Sequence, residues 1–99
     1  MSTPEVKVKM KVKNILNDYG AYYAMPSGTG FGRSGIPDFL VCYKGHFIGI
    51  ECKANGNRPT ALQEHEMLAI RRAKGATLVI DEFNQHYLIE LLEGFKDAT

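Results

Sequence analysis

Cysteine is scarce in this chain: Cys42 and Cys52 are the only two among 99 residues. Two cysteines cannot build the disulfide framework of a small secreted domain, so a reducing, cytoplasmic setting is expected. No apolar run approaches the ~18 residues that cross a bilayer, so no membrane partner is expected. Met1, Ser2, Thr3, Pro4 and Glu5 lack the basic-then-apolar order of a secretory leader. Repeats and low-complexity tracts are missing. An excess of one charge is missing as well, since 12 Lys and Arg against 11 Asp and Glu leave a net +1. That balance neither demands nor excludes nucleic acid, and the placement of the charges decides. His46, His65 and His86 are dispersed, read as surface residues, and form no zinc-type cluster with cysteine. What remains, 44% hydrophobic and 23% charged, is the composition of one ordinary globular domain over 1–99.

The first segment supports two readings. Val6, Val8, Met10 and Val12 alternate with lysines, as in a strand, whereas Val8, Val12, Ile15, Leu16 and Tyr19 form a helical stripe. Thr3 as cap, Pro4 in the first helical position and Gly20 at the end favour the helix. On that helix Glu5 lies nearly in line with Val12 and Leu16, so its carboxylate points toward the interior. A short strand at 21–25 is halted by Pro26. A loop over 27–35 follows, with glycines at 28, 30, 32 and 35. Residues 38–43 and 46–53 read as strands about Lys44-Gly45, hence a hairpin. A helix over 60–74 stops at Gly75, with Leu62, Ala69, Ile70 and Ala73 as its inward stripe. A buried strand over 76–80 and a helix over 83–96 complete an α/β chain in the order αβββαβα, a mixed sheet flanked by helices.

A tight turn at Lys44-Gly45 sets the hairpin register: Tyr43 opposes His46, Leu40 opposes Gly49, and Asp38 opposes Glu51. Phe39, Val41, Ile48, Ile50 and Cys52 then form a core face. The other face carries Asp38, Glu51 and Lys53 at one end, with Gly49 leaving space beside them. Opposed residues have Cβ atoms roughly 4.5–5.5 Å apart, and like charges placed there repel. One explanation is a cation, for which two hard carboxylates suit Mg2+ or Mn2+; the plain alternative is a solvated hairpin end with a Lys–Glu pair. Such a metal would polarise a phosphodiester and activate water, and Lys53 would steer that water or stabilise the transition state.

Ile36-Pro37-Asp38 followed by Ile50-Glu51-Cys52-Lys53 resembles the PD…ExK signature of the PD-(D/E)XK nuclease superfamily. Gly32-Arg33-Ser34-Gly35 ahead of it, and Gln63 in the next helix, resemble the VRR-Nuc (virus-type replication-repair nuclease) family, whose core has the same αβββαβα order, a restriction-endonuclease-like fold. Glu5 matches the first-helix acid of the similar Holliday junction resolvases. The resemblance implies that Asp38, Glu51 and the backbone carbonyl of Cys52 ligate the metal. It also makes Lys53 catalytic, brings Glu5 to the metal directly or through water, and has Gln63 orient the ExK strand or the water. It further implies a Mg2+-dependent endonuclease acting on DNA, four-way junctions first, as a homodimer with two matched sites. A flap or nicking endonuclease, and a non-catalytic DNA-binding module of the same fold, are the alternatives.

Gly30-Phe31-Gly32-Arg33-Ser34-Gly35 also fits GxGxxG, but a strand rather than a helix follows it, so no nucleotide cofactor is expected. Beside a nuclease site, Gly32, Arg33 and Ser34 would instead meet DNA phosphate, with Lys9 as a further phosphate contact. Cys42 and Cys52 read as small core hydrophobes on opposite faces of the hairpin. Tyr22 and Tyr23 are expected in the core, with base stacking as the other use for them and for Phe31.

Overall fold

The computed structural model describes residues 2–26 and 33–96, and its first element decides helix against strand. Helix α1 spans Pro4–Tyr19, with Thr3 Oγ1 accepting from the Val6 N–H at 3.1 Å and Gly20 closing it in the left-handed region at φ 70°. Val8, Val12 and Leu16 are buried, whereas Val6 and Met10, which a strand would have hidden with them, are exposed. The helical stripe wins because it offers one continuous face to a core.

Four strands follow: β1 Tyr22–Ala24, β2 Phe39–Tyr43, β3 His46–Cys52 and β4 Ala76–Ile80, in the order β1-β2-β3-β4. The first two pairings are antiparallel and β3–β4 is parallel, bridged by α2 (Ala61–Arg72), and α3 (His86–Gly94) ends the fold. This is the expected mixed sheet in the expected αβββαβα order. Lys44 and Gly45 both have positive φ, 51° and 81°, as a type I′ turn requires, and Tyr43 pairs with His46 as expected.

One face of the sheet carries Phe39, Val41, Ile48, Ile50 and Cys52, packed with Val8, Val12 and Leu16 of α1 and Leu88 and Leu92 of α3. The other face receives α2. The approach there is close: a Cβ on Gly49 would lie 2.7 Å from Ile70 Cδ1 and 3.1 Å from Pro37 Cγ. No helix among the described residues is long and apolar enough to cross a membrane.

Several expectations need correction. The inward residues of α2 are Glu66 and Met67, with Gln63 and Ile70 half-buried, while Leu62, Ala69 and Ala73 are exposed. Positions 63, 66, 67 and 70 make an ordinary i, i+3, i+4, i+7 stripe, but two of its members are polar. Cys42 and Tyr22, expected in the core, are exposed; they pair across β1 and β2, on the face opposite Phe39 and Val41. Tyr23 alone of the two tyrosines packs inward, edge-on to Phe39. His46 is half-buried, stacked on Phe95 at 4.2 Å. Helix α3 is shorter than 83–96, because Asp81 Oδ1 accepts from the N–H groups of Phe83 and Asn84 and holds a turn before it. The loop expectation falls partly outside the described residues, and Gly32 and Phe31 lie among those not described.

Candidate active site

The antiparallel ladder between β2 and β3 stops at Phe39↔Ile50, one pair short of the expected Asp38–Glu51 opposition. Asp38 is therefore not a strand residue. The next N–H of β3 on that side belongs to Cys52, and Asp38 Oδ2 accepts from it at 2.8 Å. The carboxylate replaces the missing ladder bond, which fixes Asp38 beside Glu51 more firmly than register alone would. The following N–H, that of Lys53, turns the other way and donates to Ile80 O in β4 at 2.9 Å. The end of β3 is thus held from both sides.

Glu51 is only 2% exposed. Its Oε2 accepts from Gln63 Nε2 at 2.7 Å and lies 3.5 Å from Lys53 Nζ. Its Oε1 is buried without a hydrogen-bond partner among the described residues. A buried, unsatisfied carboxylate oxygen is costly and calls for an explanation. Burial raises the Glu51 pKa to about 7, the charge of Asp38 adds to the rise, and Lys53 opposes it. Lys53, two residues on, is half-buried on the same face.

Gln63 owes its aim to the start of α2. Thr60 Oγ1 accepts from the Gln63 backbone N–H, and Gln63 Oε1 accepts in return from the Thr60 N–H at 2.8 Å. This reciprocal capping box occupies the amide oxygen and turns the amide nitrogen outward, where one of its two N–H groups donates to Glu51. Thr60 was missed as a site residue, although Thr60-Ala61-Leu62-Gln63 has the T-x-x-Q form that signals such a box.

Glu5 reaches the site through Lys9, whose Nζ lies 3.8 Å from Glu5 Oε2 and 3.6 Å from Asp38 Oδ1. Among the described residues no three Asp, Glu, His or Cys side chains gather into one metal-holding group, so Glu5 does not close a cage with Asp38 and Glu51. Cys52 turns its side chain into the core, where burial pushes the thiol up to about 12. Only its backbone borders the site. Arg33 Nη2 pairs with Glu66 Oε1 at 3.2 Å, and Ser34 is exposed. Gly35, at φ 87°, backs onto α2 so closely that a Cβ would lie 2.6 Å from Leu62 O.

The donor set fits a hard divalent cation. Asp38 and Glu51 each give one oxygen to the protein frame and keep another, one held by a lysine and one without a partner among the described residues. Among the described residues no imidazole or thiolate gathers with them.

No family model and no curated protein sequence matches the chain. A solved structure described as a VRR_NUC domain does, at a TM-score of 0.76 and 26% identity, covering 96% of this chain and 100% of the other. The likeness supports the VRR-Nuc resemblance that the Asp38, Glu51 and Lys53 pattern carries.

Proposed function

For a chain with the fold of a VRR-Nuc nuclease domain over nearly all of its length, we propose a metal-dependent endodeoxyribonuclease that hydrolyses phosphodiester bonds in branched DNA, four-way junctions first. The observation that carries this reading is the buried Oε1 of Glu51, without a donor among the described residues and next to the anchored Asp38. Mg2+ or Mn2+ would be held by Asp38, Glu51 and the Cys52 carbonyl, with Glu5 reaching it through water, and would supply Lewis acidity toward the phosphodiester and the attacking water.

The rest of the chemistry belongs to the chain. The water oxygen bonds to phosphorus while the phosphorus–oxygen ester bond breaks, and the proton lost by water is balanced by the one the leaving oxygen gains. Lys53 carries its ammonium beside Glu51 and stabilises the charge that grows on the phosphoryl oxygens. Gln63 holds Glu51 Oε2 and so prevents the carboxylate from turning toward solvent. Arg33 and Ser34 meet the DNA backbone at the mouth of the loop.

One such site cuts one strand, so paired incisions across a junction require two copies related by a two-fold axis. Leu62 and Leu68, exposed on α2, are available for that contact. The test is cleavage of labelled linear, flap and four-way DNA with and without Mg2+, alongside light scattering at micromolar concentrations. Paired cuts in four-way DNA by a dimer, only with metal, are expected. Unpaired nicks by a monomer would move the substrate to flaps or nicked duplex, and no cleavage of any DNA would overturn the reading.

A further inference from the structure

Lys9 stands against the oxygen of Asp38 that the protein frame leaves over. Asp38 has committed Oδ2 to the Cys52 N–H, and Lys9 Nζ lies 3.6 Å from the remaining oxygen, Oδ1. Glu5, one helical turn earlier on α1, lies 3.8 Å from the same ammonium and tethers it at the rim. Both partners of the Lys9–Asp38 pair are partly solvated, at 30% and 22% side-chain exposure, so the pair is weak enough to open.

We propose that Lys9 is a built-in counter-ion for the metal site. In the metal-free chain it neutralises Asp38 and limits the repulsion between Asp38 and Glu51. A divalent cation must displace it from Oδ1, and a DNA phosphate then receives it. The flexible four-carbon stem of lysine suits this exchange, since the ammonium can move without moving α1. The inference rests on the metal-nuclease reading above. It adds a consequence that reading does not contain: DNA and cation binding help each other, because DNA occupies the group that competes with the cation, and by linkage the help is mutual.

The test is Mn2+ affinity by calorimetry for the wild-type chain, Lys9→Met, Lys9→Gln and Lys11→Met. Lys11 lines a different cleft, with Lys7 and Glu82, so its replacement removes the same charge from the same helix away from Asp38. Both Lys9 variants should bind Mn2+ about three- to fivefold more tightly than wild type, the size of one partly exposed ion pair, and Lys11→Met should not. In a Lys53→Ala background, which keeps the DNA intact, four-way DNA should tighten Mn2+ binding by a similar factor when Lys9 is present and lose that effect when it is Met. Equal affinities throughout, or a Lys11→Met gain equal to that of Lys9→Met, would overturn the proposal and leave the metal site standing. Failure of every chain, wild type included, to bind Mn2+ would remove the metal-nuclease reading and the proposal with it.

Discussion

The side-chain amide of Gln63 is bonded at both ends, its oxygen to the Thr60 N–H at 2.8 Å and its nitrogen to Glu51 Oε2 at 2.7 Å. A helix cap and a candidate metal ligand are thereby one structural unit, and damage to the cap is expected to reach the site. Thr60→Ala should cost about 1 kcal/mol of stability, the usual loss for such a cap. It should also lower kcat, because the lost hydroxyl held the Gln63 backbone N–H, and a frayed first turn no longer fixes the residue that bonds Glu51. Thr60→Ser keeps the hydroxyl and should restore both. A Thr60→Ala chain with reduced melting temperature and unchanged kcat would show that the box serves the helix alone.

Glu51 gives the metal-free chain an unusual dependence on pH. Its folded pKa, about 7, lies above the ordinary value of 4.5, so the fold prefers the protonated acid. Below the lower value both folded and unfolded chains carry the proton and nothing is lost. Between the two the unfolded chain releases its proton first, so stability falls as pH rises and levels off above the upper value. The loss has a ceiling of about 3 kcal/mol. Glu51→Gln removes this contribution: its melting temperature without metal should match wild type near the bottom of the window and exceed it near the top. The same substitution, like Asp38→Asn, should abolish cleavage. Parallel melting curves for the two chains at every pH would refute the assignment of the shift to Glu51.

Lys53→Ala separates binding from turnover. Lys53 touches the oxygen of Glu51 that Gln63 already holds, so cation affinity should change little. Turnover should drop by orders of magnitude, because the lysine acts on charge that exists only in the transition state. A loss that saturating metal restores would make Lys53 a structural partner of Glu51.

Arg33 has one partner in the fold, and the proposed function gives it a second. It pairs with the buried carboxylate of Glu66 and lies beside the loop expected on DNA. Arg33→Ala should weaken DNA binding and lower the slope of affinity against salt by about one phosphate contact. It should also destabilise the fold modestly, by leaving Glu66 without that partner. An unchanged salt slope would confine Arg33 to the structural pair.

Where sequence patterns report backbone chemistry they read true. Thr3, Pro4 and Gly20 bound α1, and Lys44-Gly45 sets the register that brings Asp38 to Glu51, although Asp38 reaches it as a side-chain cap on Cys52 rather than as a ladder residue. The pattern misleads where an element buries polar groups. An apolar stripe through Leu62, Ala69 and Ala73 is wrong for α2 because its inward side carries polar residues with partners, Gln63 on Glu51 and Glu66 on Arg33. Edge positions mislead for another reason. Alternation places Tyr22 and Cys42 on a common face but cannot tell that α2 packs chiefly on β3 and β4 and leaves that corner open. The sequence offers Lys9 as a phosphate contact but not as a partner of Asp38, since that contact joins segments that are remote in sequence.

The two cysteines make the chain a ready substrate for selective labelling. Cys52 is fully buried with its thiol held protonated, while Cys42 is exposed, so a maleimide dye would attach at Cys42 and spare the site. Cys42 opposes Phe47 in the hairpin, four residues along β3 from Glu51, a separation of roughly 13 Å along the strand. A fluorophore there would share the sheet face of Asp38 and Glu51 and so report whether DNA arrives at it, without touching Asp38, Glu51, Lys53 or Gln63.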